Sequence, residues 1–390
     1  MKMNDGQESK KAGYKVPFGT ISVTPRARQL IQEALDAGWL TKGKYVKEFE
    51  EKFAALFGVK HGIAVSSGTD ADALACAVLY DLGAKRGDEV IVPALSFIAT
   101  GNAVFQAGFT PVFVDIKRET LNIDPAKIEA RITGRTRAIM PVHLMGKPAD
   151  MDPICAIARK HGLKVIEDAA EAHGAEYRGE KVGAMGDMAC FSLYAAHIIT
   201  TVEGGMVLTN SDQMAEALKS LRNHGMVGKF TFERIGFSAK MNELEAAVGL
   251  GNIDIFEDIL SRRRRNMYYL IEKFRRFDKV FITLKEEPFE KLGPHAFSII
   301  VREGAGFTKD EFVAFLEAKS VDSRNLFYSM PTQCPSYAFL GHKRGEFPEA
   351  EYCSDHGTHI GIHQDIGLGQ LDHVVSVVEE FLKNKGAAYF

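Results

Sequence analysis

Residues 165–174 read VIEDAAEAHG, an apolar run that ends in two acidic residues and continues into small residues. This run predicts a buried β-strand with Asp168 at its carboxyl end. Ligands of open parallel sheets bind outside the carboxyl ends of the strands, so we expect Asp168 to face such a crevice. A carboxylate that caps the following helix is the common alternative at such a position. Asp168 is therefore the first candidate for contact with a ligand.

The chain on both sides of this run alternates between short β-rich runs and helical patterns, from about residue 60 to residue 210. Such alternation is typical of a parallel sheet covered by helices. Helices are predicted over residues 70–82 and 152–161. Seven strands are predicted over residues 62–65, 89–92, 111–115, 138–143, 163–167, 188–192 and 206–209. The predicted fold class is α/β, with a large domain built on a mostly parallel seven-stranded sheet.

The second half of the chain predicts a different organisation. Residues 242–274 carry apolar residues at helical spacing and no proline, which predicts one or two long helices leading out of the large domain. The remaining predicted elements are two strands and two helices, over residues 280–284, 296–301, 309–319 and 371–383. We expect a large domain over residues 16–260 and a smaller C-terminal α+β domain over residues 261–390. The helix around residues 27–37 is expected to pack on the small domain.

Composition narrows the class of protein. A chain of 390 residues exceeds the size of one hydrophobic core, and 46% apolar with 25% charged residues is typical of a globular protein. A net charge of −3 favours neither nucleic acid nor an anionic membrane as the main partner. The polar residues 1–15 do not resemble a secretory signal, so we expect a cytoplasmic location. Five dispersed cysteines predict free thiols. The four arginines at residues 262–265 are expected to be solvated or to lie at a subunit interface.

A second candidate site is the segment Ser66-Ser67-Gly68-Thr69-Asp70, between a predicted strand and a predicted helix. Backbone N–H groups and hydroxyls at a helix N-terminus can converge on a phosphate. A glycine turn with a capped helix would use the same residues without any ligand. The segment is thus a candidate phosphate cradle, and the two interpretations stay open.

Residues 191–206 read FSLYAAHIITTVEGGM. This stretch resembles the cofactor-lysine segment of the sugar-nucleotide aminotransferases, which have the aspartate-aminotransferase fold (fold type I). The two segments described above resemble other parts of the same enzymes. Those enzymes hold pyridoxal phosphate as a Schiff base on the lysine, and His197 stands at that position. The 29 positions from Asp168 to His197 match the family's spacing of aspartate and lysine. An imidazole cannot form the Schiff base, but it moves protons near neutral pH.

A branch of this family makes the same exchange of lysine for histidine: the sugar 3-dehydratases, which include GDP-4-keto-6-deoxymannose 3-dehydratase. The resemblance therefore implies removal of the C3 hydroxyl from a nucleotide-linked 4-keto-6-deoxysugar. Pyridoxamine 5'-phosphate would be the working cofactor, His197 the acid and base, and glutamate the amino donor that regenerates pyridoxamine phosphate from pyridoxal 5'-phosphate. Two alternatives stay open, a nucleotide-sugar 4-aminotransferase and a catalytically silent relative that binds a ligand. Segments 327–333 and 359–363 depart from the family pattern beside the sugar pocket, which leaves the substrate open.

The resemblance also implies roles for the other site residues. Asp168 would pair with the pyridinium nitrogen, Phe97 would stack on the ring, and Glu171 would lie near the phenolic oxygen. The expected phosphate contacts are Ser67, Gly68, Thr69, Ser192 and Ser238. Because the segment around Ser238 reaches a neighbouring subunit's site in the family, a homodimer with shared active sites is expected. We expect no metal, and we interpret His173 and His224 as structural histidines with satisfied hydrogen bonds.

Overall fold

A computed structural model of the protein describes residues 13–386. Its centre is a seven-stranded sheet whose strands are, in chain order, β1 His61–Val65, β2 Glu89–Pro93, β3 Thr110–Val114, β4 Thr136–Ile139, β5 Lys164–Asp168, β6 Met188–Ser192 and β7 Gly205–Thr209. Their spatial order is β1-β7-β6-β5-β4-β2-β3. Neighbouring strands from β6 to β3 are parallel, whereas β7 is antiparallel to both β6 and β1. The predicted α/β fold with a mostly parallel sheet is confirmed.

The strands of this sheet are almost wholly buried, because helices cover both of its faces. The helices of this half of the chain are α1 Pro25–Ala37, α2 Lys44–Phe57, α3 Gly68–Val78, α4 Ala99–Gln106, α5 Met151–His161, α6 Asp212–Leu221 and α7 Glu243–Ile253. The strand predicted over residues 138–143 ends early, because β4 stops at Ile139. The helix predicted over residues 70–82 also ends early, because a 3-10 turn follows α3.

The second half of the chain begins with the long helix α8 Phe256–Phe274 and contains a four-stranded antiparallel sheet. The strands of this sheet are β8 Phe281–Thr283, β9 Ala296–Val301, β10 Ser323–Asn325 and β11 Gly357–Gly361, in the spatial order β8-β9-β11-β10. Its helices are α9 Lys309–Ala318, α10 Met330–Gln333, α11 Pro348–His356 and α12 Leu368–Asn384. The division into domains over residues 16–260 and 261–390 remains our proposal, and residues 387–390 lie outside the described part.

The first helix is placed differently from our prediction. Helix α1 packs on α7, where a Cβ added to Gly251 would lie 2.3 Å from the Thr24 hydroxyl oxygen and 2.9 Å from Ala27 Cβ. The segment before α1 makes the contact with the second half of the chain, since Val16 forms a β-bridge with Val321. The prediction failed because an amphipathic pattern identifies a buried face without identifying what covers it.

Among residues 13–386, no helix is both long enough and apolar enough to cross a membrane. All five cysteines are free; three are buried, and Cys155 and Cys334 are partly exposed.

Candidate functional site

The predicted phosphate cradle forms where β1 turns into α3. The Ser67 hydroxyl caps this helix and accepts a hydrogen bond from Asp70 N–H at 3.0 Å. Gly68 opens the helix and Thr69 follows it in the first turn. A Cβ added to Gly68 would lie 2.6 Å from Ser192 Cβ, so only glycine lets these two segments meet. The structure thus brings together Ser67, Gly68, Thr69 and Ser192 from segments that are far apart in sequence.

Asp70 already engages two hydroxyls of this cradle. Its carboxylate accepts hydrogen bonds from the Ser66 and Ser67 hydroxyls at 2.7 and 2.8 Å. A phosphate bound at the helix N-terminus would therefore compete with Asp70 for Ser67. It would also face a second negative charge within the same turn.

We predict that Asp70→Ala tightens binding of pyridoxal phosphate about fivefold, the effect of removing about 1 kcal/mol of charge repulsion at a partly exposed site. Fluorescence titration of the cofactor-free protein measures this change. Asp212→Ala is the matched control, because Asp212 also lies in the first turn of a helix and is remote from the cradle. Weaker binding in Asp70→Ala would mean that Asp70 organises the cradle rather than repelling the phosphate.

Asp168 ends β5 at the carboxyl edge of the sheet, as predicted, and is almost fully buried. Its carboxylate accepts a hydrogen bond from the Thr100 hydroxyl at 2.7 Å and from Ala170 N–H at 3.2 Å. The Thr100 hydroxyl is itself 2.8 Å from that of Ser96. Burial raises the pKa of Asp168, and the Thr100 hydrogen bond opposes this rise. The carboxylate is held on one side and is suited to pair with a cationic group.

His197 lies in the turn that follows β6, where its backbone N–H donates to Tyr194 C=O at 3.0 Å. Burial, with a smaller contribution from the Arg263 guanidinium, lowers the pKa of His197 to about 3. The imidazole is therefore neutral at physiological pH, the form that accepts a proton. Its Nδ1 atom is buried and has no hydrogen-bond partner in the described part of the chain.

Two more imidazoles flank His197. The His295 ring lies 4.9 Å from it and the His173 ring 5.9 Å, between ring centroids. His295 Nε2 lies 3.5 Å from the Glu171 carboxylate, which also accepts a hydrogen bond from Met145 N–H at 2.8 Å. Burial raises the pKa of Glu171 to about 8. Within residues 13–386, no three His, Cys, Asp or Glu side chains are arranged to hold a metal ion.

Phe97 is 57% exposed at the end of the loop that follows β2, so one face of its ring is open to a flat ligand. The Phe327 ring lies 5.6 Å from it, and Leu95 forms a β-bridge with Ser329. The segment over residues 327–333, which departs from the family pattern, thus borders the same crevice as Phe97.

Ser238 is exposed and lies beside the cradle of its own chain. It pairs with Asn223 in a β-bridge, and the C=O of the next residue, Ala239, accepts a hydrogen bond from Ser66 N–H at 3.2 Å. Its predicted contact with a neighbouring subunit's phosphate stays a prediction.

Two predictions are wrong. Arg263 is 1% exposed rather than solvated, and it donates to the backbone C=O of Ala196 and His295 and to Gln364. His173 is fully buried, but neither ring nitrogen has a hydrogen-bond partner among the described residues, so it is not a satisfied histidine.

The sequence interpretation also missed site residues. Thr100 holds Asp168 and is itself bonded to Ser96, and the spacing of four residues between Ser96 and Thr100 at a helix start was the available signal. Asp72 is a buried carboxyl whose pKa is raised by burial and, to a smaller extent, by the charge of Asp168. His295 gave no local signal, because its partners come from distant segments.

Comparison with known proteins agrees with this geometry. The model of the DegT/DnrJ/EryC1/StrS aminotransferase family matches residues 22–379. The chain is 40% identical to GDP-perosamine synthase of Caulobacter vibrioides over 91% of this chain and 95% of that protein, and 34% identical to GDP-perosamine synthase of Escherichia coli O157:H7 over 95% and 99%. A crystal structure of a GDP-4-keto-6-deoxymannose-3-dehydratase mutant with bound GDP-perosamine superposes with a TM-score of 0.87 at 27% identity, covering 93% of this chain and all of that one.

The family match also confirms fold type I and pyridoxal phosphate as the cofactor predicted from the sequence. A buried aspartate, a glycine-lined cradle and an open aromatic face fit that cofactor. The chain belongs to the DegT/DnrJ/EryC1/StrS aminotransferase family.

Proposed function

We propose that this protein removes the C3 hydroxyl of a GDP-linked 4-keto-6-deoxysugar and leaves the C4 ketone in place. The observation that carries this proposal is His197, a half-buried, neutral imidazole with a buried Nδ1 atom, at the position where the family has its cofactor lysine. GDP is proposed because the two GDP-perosamine synthases and the GDP-sugar dehydratase named above all act on or bind GDP-linked sugars, as their names state.

We assign the cofactor contacts from the resemblance to the family. The phosphate would lie in the cradle of Ser67, Gly68, Thr69 and Ser192, and Ser238 of a second copy of the chain would approach it. Asp168 would pair with the pyridinium nitrogen, with Thr100 orienting the carboxylate. Phe97 would cover one face of the ring. Glu171 would contact the ring's phenolic oxygen.

The bound cofactor, in its pyridoxamine form, supplies an amine and the two electrons that reduce C3. In the net reaction, a C3–H bond would replace the C3–O bond, the amine would be released as ammonia, and glutamate would supply the amine for the next turnover. His197 would take a proton from the C4′ carbon of the cofactor and deliver it to the departing C3 oxygen of the sugar. Since His197 has no primary amine, it cannot recapture the cofactor's aldehyde, and this favours deoxygenation over simple amine transfer.

Amination at C4 is the second candidate, and the relatives support it better than they support dehydration. Both GDP-perosamine synthases match over nearly their whole length, and the matched family is named for aminotransferases. In this case His197 would return the proton to C4 of the sugar instead of the C3 oxygen. The two outcomes differ in where that proton goes, and only dehydration breaks the C3–O bond and releases the amine as ammonia.

We also propose a homodimer with shared sites. Three apolar side chains project from the segment just before Ser238: Phe230 is 86%, Phe232 57% and Ile235 94% exposed. A second copy of the chain would bury them and bring its own Ser238 towards the cradle. This architecture and a cytoplasmic location are parts of the same proposal.

The test is mass spectrometry of nucleotide sugars after incubation with pyridoxal phosphate, glutamate and GDP-4-keto-6-deoxymannose. TDP-linked and UDP-linked sugars serve as comparisons. We expect the GDP-sugar to lose its C3 oxygen and keep its ketone. An amine in place of the ketone would replace this proposal with the 4-aminotransferase, and no change in any sugar would support a silent binding protein.

A further inference from the structure

We propose that His295 is a positioning residue that passes the protonation state of Glu171 to His197 and so decides which nitrogen of His197 carries the proton. This inference rests on the proposed acid and base role of His197. It assigns a function to a residue that the proposed reaction does not otherwise use.

Glu171, His295 and His197 are neighbours in that order, and we call the three groups the line. His295 approaches both partners, with its Nε2 atom 3.5 Å from the Glu171 carboxylate and its ring centroid 4.9 Å from that of His197. The distance to Glu171 is slightly longer than a hydrogen bond, as is common in catalytic sites before ligands bind. The Nδ1 atoms of His197 and His295 are both buried without a partner in the described structure. One N–H···N hydrogen bond between them would satisfy both atoms.

The fold holds His295 in this place. A Cβ on Gly146 would lie 1.8 Å from Gly293 C=O, so two glycine segments pack backbone against backbone just before His295. Gly293 N–H donates to Gly146 C=O at 2.9 Å, and the buried Arg263 donates to His295 C=O at 3.3 Å. The neighbouring Met145 N–H donates to Glu171 at 2.8 Å. The same loop therefore positions both Glu171 and the segment that carries His295.

Proton positions then follow from bonding rules. When Glu171 is a carboxylate, it accepts a hydrogen bond from His295 Nε2–H, which leaves His295 Nδ1 as an acceptor. His197 must then donate from Nδ1, and its Nε2 is free to act as a base. When Glu171 is protonated, its O–H donates to His295 Nε2 and His295 Nδ1–H donates to His197 Nδ1. The proton of His197 then lies on Nε2. The line thus sets whether His197 presents a base or an acid, as a carboxylate sets the tautomer of a catalytic histidine in hydrolases.

His173 provides the comparison within the same cluster. It also lies beside His197, but its ring packs against Phe53 and Phe191 at 6.2 and 5.1 Å between centroids. It makes no ion pair with a carboxylate in the part of the chain that the structure describes. Removing its imidazole should leave the tautomer of His197 unchanged.

Other charged and titratable groups face this line from several elements. They are Asp168 on β5, His173 on the loop after it, Arg263 on α8 and His359 on β11. Arg263 and burial both disfavour a second proton on the imidazoles, so the line carries one mobile proton at a time. The pKa of Glu171, which burial raises to about 8, places the reversal near that pH.

The first test uses nitrogen NMR of histidine-labelled protein with bound pyridoxamine phosphate, where the ring nitrogen shifts identify the tautomer. His197→Asn assigns the signals. We expect His197 to carry its proton on Nδ1 at pH 9 and to change tautomer as the pH falls through about 8. His295→Phe, which keeps a ring but removes both nitrogens, should abolish this change, and so should Glu171→Gln. His173→Phe should preserve it.

The second test compares kcat and KM. His295→Phe should lower kcat about 100-fold, the effect of a misplaced catalytic proton, with KM for the nucleotide sugar unchanged. His295→Gln, which keeps a donor and an acceptor, should restore part of the loss. An unchanged tautomer in His295→Phe, or an equal change in His173→Phe, would overturn the inference. The NMR result does not depend on which product forms, so an aminated product would refute the proposed dehydration and leave this inference standing.

Discussion

Replacing His197 with lysine is expected to attach pyridoxal phosphate covalently to the protein and to move the product from the deoxygenated sugar towards the aminated one. The reason is chemical, because a primary amine at this position can capture the aldehyde that an imidazole leaves free. Visible absorbance, followed by borohydride reduction and mass spectrometry, would show one cofactor added at residue 197. Nucleotide-sugar mass spectrometry would report the product ratio.

His197→Asn separates the proton-transfer role from the fold. We expect turnover to fall at least 100-fold, the usual contribution of a positioned acid or base, while the unfolding midpoint and the cofactor Kd stay close to those of the native protein. His161→Asn is the control, since His161 lies at the exposed end of a helix and pairs with Glu129. Full activity in His197→Asn would remove His197 from the reaction under either proposed outcome.

The main elements of the sheet and the cradle could be predicted because their signals are local. Ligands bind at the carboxyl ends of the strands in such sheets, so Asp168 and the cradle at Ser67, which each follow a strand, were both expected at that edge. Strand β1 reaches the same edge although its one neighbour in the sheet, β7, is antiparallel to it. Gly68 indicated a turn, but the close approach of Ser192 to it was seen only in the structure. The spacing of 29 positions from Asp168 then identified His197 as the residue at the family's lysine position.

The remaining site residues could not be predicted, because their partners lie far away in sequence. The arginine run looked solvated, since four consecutive charges on a helix point in different directions. One of those directions is the interior, and Arg263 fills it by donating to backbone oxygen atoms. His295 acquires its neighbours only when the Gly146 and Gly293 segments meet. Local sequence patterns do not encode such contacts.

Lys147→Met is expected to lower the free energy of unfolding by about 3–5 kcal/mol, the cost of leaving one partner of a buried ion pair alone. Lys147 and Glu290 are 3% and 7% exposed, and the ammonium donates to the Glu290 carboxylate and to Lys285 C=O. Methionine fills a similar volume, so the loss reports the stranded charge. Urea unfolding followed by circular dichroism measures it. Lys219→Met, at the exposed pair with Glu216, should change stability by less than about 1 kcal/mol.

The double variant Lys147→Met with Glu290→Leu decides what the pair is for. Apolar residues of similar volume often replace a buried ion pair without loss, so we expect most of the stability to return. The pair joins the loop of Gly146 to the segment that leads to Gly293 and His295, and it therefore sets their register. If that is its role, kcat of the double variant should stay below the native value after stability has recovered. Complete recovery of both would show that the glycine contacts alone hold His295 in place.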